Sequence, residues 1–345
     1  MTVFSHPDFD HHQRIVFGAD AASGLRAIIA IHNTRRGPAL GGLRIYPYTS
    51  DDEALTDVLR LSRGMTYKSA LADLPLGGGK AVIIADPRRD KTPELLRAMG
   101  RLVDSLNGDY ITAEDSGSSE ADMRVIAETT EHVGGLGHDG VSGDPSPFTA
   151  KGVFCAMRSA VRHGLGRDDF DGLRVGIQGV GHVGAQLARQ LHEAGARLIL
   201  TDVDRDALGQ LAASLEADIT TPEAIAEADV DVFAPCAMGA ALSASVVERL
   251  KARVVCGAAN NQLASPDIAD LLKARGILYT PDYVANAGGV IEIAWQRRHD
   301  YRRDAVMAHI AGIETTLDEI FERARREDSD PNSVADALAR ERFRG

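Results

Sequence analysis

Leu173-Arg174-Val175-Gly176-Ile177-Gln178 runs directly into Gly179-Val180-Gly181-His182-Val183-Gly184, and an acid, Asp202, stands eighteen residues past the last glycine. The first six residues read as a buried strand, and Ala185 to Ala194 as the helix that the glycine turn opens. A glycine pattern alone says little. With a strand before it, a helix behind it and a carboxylate at this distance, it reads as a dinucleotide-binding unit. Gly179 permits the tight turn, Gly181 leaves room for a pyrophosphate, and Gly184 lets helix and strand pack closely. The helix start then faces the phosphates with unpaired amides, and Val180, His182 and Val183 join the glycines as cofactor-binding candidates. Asp202, closing the apolar run Leu198-Ile199-Leu200-Thr201, can accept hydrogen bonds from a ribose and repels a 2'-phosphate, which favours NAD over NADP. The competing reading is a structural turn beside a surface aspartate.

Working outward, apolar strands recur at Arg197 to Thr201, Asp231 to Ala234, Val254 to Cys256 and Ile277 to Tyr279, with helical stretches between them. That alternation predicts a doubly wound parallel sheet, the Rossmann arrangement. Upstream, Leu25 to His32, Leu43 to Tyr46, Ala81 to Ala85 and Tyr110 to Ala113 read as strands, with helices predicted after the Ser50-Asp51-Asp52-Glu53 capping box and over Pro93 to Leu106. Glycines and prolines crowd Gly134 to Pro147, so a boundary is expected there. A helix over Thr149 to Gly164 follows. The fold expected is α/β with two domains and a cleft between them: an N-terminal α/β substrate domain over residues 1–140, and an NAD-binding domain over 141–325. The charged helical residues 326–345 are expected to pack back on the first.

Bulk properties exclude other classes. With 38 basic and 50 acidic residues the net charge is -12, which repels nucleic acid. Nothing approaches transmembrane length, and Met1 to His12 lacks the basic start and apolar run of a signal peptide, so a cytoplasmic protein without membrane contact is expected. Cys155, Cys236 and Cys256 read as reduced core thiols. No metal is expected: His6, His11 and His12 read as a solvated terminus with no ordered scaffold around them.

Only six of the basic residues are lysine. Arginine keeps its proton, so the retained lysines mark places where a titratable amine is useful. Lys68 falls near the apolar face of the capped helix, three residues after Met65, and Lys80 follows Gly77-Gly78-Gly79 into a buried strand. Burial and mutual repulsion would depress one amine toward neutrality and leave the other a fixed cation. Taken singly, each also reads as a snorkelling surface residue. Asp115 ends the strand from Tyr110, where it could exchange a proton with Lys80 or simply cap a turn before a helix near Ala121.

Gly37-Pro38-Ala39-Leu40-Gly41-Gly42-Leu43-Arg44, Gly64 to Ala70, Pro75 to Lys80, Pro145 to Gly152, Gly257 to Leu263 and Asn286-Ala287-Gly288-Gly289-Val290 together resemble the glutamate/leucine/phenylalanine/valine dehydrogenases, nearly end to end. The resemblance implies conversion of an amino acid, NAD+ and water to a 2-oxo acid, ammonium and NADH, by a homo-oligomer (dimer or octamer). It implies that Lys68 holds the substrate carboxylate with the Gly41 backbone, Lys80 activates water and Asp115 assists proton transfer. Thr149, Cys236, Ala237 and the pair Asn260-Asn261 would line the nicotinamide end. Glutamate-specific members carry lysine at the position of Leu40, and phenylalanine-specific ones tend to carry glycine at that of Ala113. Leu40, Met65, Ala113, Asn261, Val290 and Ile293 therefore imply a pocket for leucine, valine or isoleucine. The chain departs from common leucine-type patterns at Ser116 to Ser119 and Glu292 to Trp295, and Trp295 keeps an aromatic amino acid open as the alternative. A non-catalytic NAD-binding regulator would keep the glycine loop but has no use for Lys68, Lys80 and Asp115.

Overall fold

The computed structural model describes residues 3–137, 144–237 and 239–344. They group into two compact units, Met1–Asp144 with Ile293–Tyr301 and Ala339–Gly345, and Pro145–Glu292 with Arg302–Leu338. Of the tail expected to return to the first unit, only the part from Ala339 groups with it, and the stretch from Ile293 joins it as well.

In the first unit β1 (Arg14–Asp20), β2 (Leu25–Asn33), β3 (Ala39–Tyr46), β4 (Gly77–Ile84) and β5 (Tyr110–Glu114) form one sheet in the order β1-β2-β4-β3-β5. β1 and β2 pair antiparallel, as do β2 and β4, whereas β4, β3 and β5 run parallel. Side chains alternate across β2. Ile28 and Ala30 pack with Val58 and Leu59 of α1 (Asp51–Leu71), and Ile29 and Ile31 join the opposite layer. That layer holds Leu96 and Met99 of α2 (Pro93–Asp104) and Met123 and Ile126 of α3 (Glu120–Ile126). A sheet covered on both faces explains why β2 reads as a continuous apolar run.

The second unit begins with α4 (Ser146–Leu165), followed by β6 (Arg174–Gln178), α5 (His182–Glu193), β7 (Arg197–Thr201), α6 (Arg205–Leu215), β8 (Asp218–Ile219) and β9 (Val232–Pro235). After these come α7 (Ala244–Arg249), β10 (Val254–Val255), α8 (Asp267–Ala274), β11 (Leu278–Tyr279), α9 (Asp282–Ala285), α10 (Gly288–Gln296), α11 (Arg303–Glu327) and α12 (Pro331–Arg344). The strands are all parallel, ordered β11-β10-β9-β6-β7-β8. Chain direction across the sheet therefore reverses between β6 and β9, and ligands bind outside the carboxyl ends of the strands at such a point.

Several local expectations change. The glycine triplet before Lys80 belongs to β4 itself rather than leading into it, because α1 packs directly on the strand: a Cβ on Gly78 would lie 1.9 Å from the Thr66 amide nitrogen. Ser50 caps α1 as expected, accepting from the Glu53 amide at 3.1 Å, but Glu53 does not close the box. Its carboxylate accepts from the Thr49 amide and hydroxyl instead. β1, a half-exposed strand with the short apolar run Ile15-Val16-Phe17, and the exposed two-residue β8 were not among the strands expected. Part of the expected linker, 138–143, lies outside the described residues.

The solvated histidine terminus is also corrected. His6 and His12 are buried, each 7% exposed. The His6 Nε2 meets the Thr56 hydroxyl at 3.1 Å, and the His12 Nε2 lies 3.0 Å from both the Leu59 carbonyl and the Ser62 hydroxyl. The segment is thus ordered along α1. Among the described residues no group of histidine, cysteine, aspartate or glutamate side chains is arranged to hold a metal. Nor is any described helix long and apolar enough to cross a membrane.

Candidate active site

Strand order brings the first unit's polar residues together. Lys80 lies on β4 and Asp115 directly follows β5, with β3 between them. β3 is bare at that point. A Cβ on Gly41 would sit 1.7 Å from the Gly79 carbonyl oxygen, and one on Gly42 would sit 2.7 Å from the Asp115 Cβ. The Lys80 ammonium reaches over this strip and pairs with the Asp115 carboxylate. Lys80 is only 6% exposed. Burial, with the Arg44 guanidinium and the Lys68 ammonium acting the same way and Asp57 opposing, brings its pKa down to about 7.

Asp115 opens a turn before α3, its carbonyl accepting from the Ser118 amide at 2.9 Å, while Ser119 caps the helix by accepting from the Asp122 amide. The Asp115 Oδ1 accepts from the Ser116 amide at 2.6 Å. The Ser118 hydroxyl donates to the Leu43 carbonyl and accepts from the Asp115 amide, tying this loop to β3. Lys68 is half-buried near the end of α1, two residues past the Thr66 that touches β4. The Gly41 peptide is fixed by the buried Tyr110 hydroxyl, which donates to its carbonyl at 2.6 Å.

Beside these groups lies an apolar wall. Side-chain carbons of Leu40, Ile111 and Ile293 stand 3.7, 3.7 and 3.0 Å from the position of a Cβ on Gly134. Leu40 and Ala113 are buried, and Met65 and Ile293 half-buried. Arg297 donates to the Val133 carbonyl at 2.9 Å, anchoring the segment that carries Ile293.

In the second unit the glycine turn has the shape its sequence demands. Gly179 takes φ +97 and donates to the Thr201 carbonyl at 2.8 Å. A Cβ on Gly184 would fall 2.0 Å from the Gly179 carbonyl oxygen, whereas one on Gly181 would meet open space. α5 starts at His182, inside the loop and earlier than read from sequence, with no side chain capping its first amides. These amides and the open position at Gly181 fit a pyrophosphate. Asp202 is preset: its carboxylate accepts from the Val180 amide at 2.6 Å and the Asp204 amide at 2.9 Å.

The matches to known proteins follow the same division. Residues 12–132 match the model described as "Glu/Leu/Phe/Val dehydrogenase, dimerisation domain", and residues 200–339 match "Glutamate/Leucine/Phenylalanine/Valine dehydrogenase". The chain belongs to this family. It is 45% identical to the leucine dehydrogenase of Geobacillus stearothermophilus over 344 residues, 99% of this chain and 94% of that one. It is 46% identical to the valine dehydrogenase of Streptomyces virginiae, over 98% of this chain and 95% of that one. Among solved structures, the L-tryptophan dehydrogenase of Nostoc punctiforme superposes with a TM-score of 0.86 at 40% identity, over 97% and 96% of the two chains.

The chain is therefore an amino-acid dehydrogenase, and its remaining predicted residues can be placed. Ala237 backs the glycine turn, its amide nitrogen 2.7 Å from a Cβ on Gly179, and Cys236 lies against Gly184. Burial pushes the Cys236 thiol up to about 12, so it is a neutral wall rather than a nucleophile. Met238, between Ala237 and Gly239, lies outside the described residues. The Asn260 side chain accepts from Asn286 at 2.7 Å, and the exposed Asn261 takes a left-handed φ of +52. The Thr149 hydroxyl donates to the Pro145 carbonyl and lies 2.6 Å from a Cβ on Gly289, while Val290 is buried. Sequence reading assigned no role to Arg44 beyond a motif, nor any to Asp57 and Tyr48. The signal available was only that a charged residue recurs in strand and helix segments that otherwise read as core.

Proposed function

We propose that the chain catalyses reversible NAD-dependent oxidative deamination of a branched-chain L-amino acid, leucine, valine or isoleucine. Amino acid, NAD+ and water become 2-oxo acid, ammonium, NADH and a proton. The carrying observation is the buried Lys80–Asp115 pair with a second lysine nearby and an apolar wall of Leu40, Ile111 and Ile293 beside it. In this reading the first unit is the substrate domain and the second the coenzyme domain.

Lys68 binds the substrate carboxylate, helped by the Gly41 backbone. NAD+, when bound, accepts the hydride from the substrate Cα. The neutral Lys80 amine takes a proton from water as its oxygen attacks the resulting imine carbon, and Asp115 exchanges that proton with Lys80. The same groups return a proton to the departing nitrogen, so that ammonia leaves as the carbonyl forms. Met65, Ala113, Asn261 and Val290 are the remaining residues proposed to contact the substrate. Thr149, Cys236, Ala237 and Asn260 line the nicotinamide end, and Gly179 to Gly184 with Asp202 hold the rest of the coenzyme.

The leucine and valine dehydrogenase relatives support the aliphatic choice. Turnover measured on leucine, valine, isoleucine, phenylalanine and tryptophan, and in reverse on their 2-oxo acids, should favour the branched-chain set by at least about tenfold, as a misfit of one or two methylenes costs about 1–3 kcal/mol. A preference for an aromatic substrate would overturn it. The tryptophan dehydrogenase neighbour favours that second reading, but here the Arg298 guanidinium stands 4.1 Å from the Trp295 ring and covers one face. Coenzyme choice has its own test. Asp202→Asn should raise the KM for NAD+ by about ten- to a hundredfold, the value of a hydrogen bond to a charged group, and narrow the margin over NADP+. An unchanged coenzyme preference would remove Asp202 from that role. The matched dimerisation domain supports a homo-oligomer, and three free cysteines support a reducing, cytosolic setting.

A further inference from the structure

Behind the Lys80–Asp115 pair stands a second ion pair. Arg44, on β3, donates through Nη1 to Asp57 of α1 at 2.9 Å, and its Nη2 lies 3.7 Å from the same Asp115 oxygen that Lys80 contacts. Asp57 also accepts from the Tyr48 hydroxyl at 2.5 Å. The Arg44 and Asp57 side chains are only 24% and 26% exposed, so solvent screens them poorly. The Arg44 Nε is buried and finds no hydrogen-bond partner among the described residues. A bridge kept for stability alone has little reason to carry an unspent buried donor.

We propose that Arg44 and Asp57 are a counterbalanced positioning pair: Arg44 holds the Asp115 carboxylate against Lys80, and Asp57, steadied by Tyr48, limits how much of the guanidinium charge reaches the amine. This rests on Lys80 being the proton-moving amine of the function proposed above. Every element packed around Lys80 is accounted for. β3 supplies the Arg44 cation, α1 the Asp57 anion and the Lys68 cation, and the loop after β5 supplies Asp115. On the remaining side β2 presents Ala30, which carries no charge. Arg44 disfavours the ammonium form and Asp57 favours it. Removing either half of the pair therefore pushes Lys80 in opposite directions, which loss of packing would not do.

The test uses the full-length enzyme with Arg44→Met and Asp57→Asn, and two readouts across the pH range. One is acetylation of Lys80 by acetic anhydride, followed by peptide mass spectrometry; the other is kcat/KM for leucine. Arg44→Met is expected to raise the Lys80 labelling midpoint by about one pH unit and Asp57→Asn to lower it by about as much, with the acidic limb of kcat/KM moving alongside. Arg44→Lys, which keeps the charge, should restore most of the wild-type midpoint, and Arg44→Gln gives the upward shift if the methionine variant does not fold. Labelling midpoints that stay put, or move in the same direction in both variants, overturn the proposal. Opposite labelling shifts without movement of the kinetic limb leave the positioning pair standing and remove Lys80 from the chemistry.

Discussion

Lys80→Ala is expected to lower kcat for leucine deamination by about 10²–10⁴-fold, the usual contribution of a positioned general base, which corresponds to about 3–5 kcal/mol of barrier. Of the two lysines this is the one to lose, because burial holds its pKa to about 7 and Asp115 is in contact to exchange the proton. The base must be unprotonated to take a proton from water, so wild-type deamination should fall away as pH drops below about 7. Removing the amine need not wreck the fold. Asp115 keeps Arg44 nearby and the Ser116 amide as a donor. Coenzyme binding depends on the other unit and should persist, which NADH fluorescence titration reports independently. Wild-type turnover in the variant would dismiss Lys80 from the mechanism; loss of both turnover and NADH binding would point to misfolding, and Lys80→Met would then repeat the test with the aliphatic stem kept.

The glycine turn was the most legible part of this chain because its geometry is local. Strand, glycines, helix start and Asp202 act over neighbouring residues, and each glycine has a steric reason visible in a short window: Gly184 touches Gly179, five residues away. Lys80 and Asp115 were legible for a different reason, a shortage of lysines, the glycine triplet ahead of Lys80 and the position of Asp115 just past a strand. What escaped was whatever depends on sheet order. Arg44 and Asp57 are thirteen residues apart on different elements, and Arg44 meets Asp115 only because β3 lies between β4 and β5. β8 escaped because two exposed residues carry no periodicity. Of the terminal histidines His11 is exposed as expected, but His6 and His12 were misread because their burial is conferred by α1, some fifty residues away in sequence, and local composition near the start looks polar.

Burial of His32 against His12 should make the first unit sensitive to acid. His32 is buried on β2 with its Nδ1 2.8 Å from the Thr66 hydroxyl, and its ring meets His12 edge-on at a centroid distance of 4.9 Å. Burial, the neighbouring His12 and Arg63 depress the His32 pKa to about 4, against a weaker opposing pull from Asp10. His12 is lowered too, chiefly by burial. For a base whose folded pKa lies below its unfolded value of 6.5, the unfolded chain takes up a proton that the folded chain refuses. Stability is therefore full above 6.5, falls as pH drops, and levels off below about 4. The loss attributable to His32 is about 3 kcal/mol, about 2 of it already gone by about pH 5. His32→Asn keeps a group near the Thr66 hydroxyl but cannot titrate. Urea unfolding of both proteins at neutral pH and at about pH 5 should show the variant less stable at neutral pH yet losing about 2 kcal/mol less on acidification. Equal losses in the two proteins would mean that His32 takes its proton as readily folded as unfolded, contrary to an imidazole sealed between β2, His12 and Tyr67.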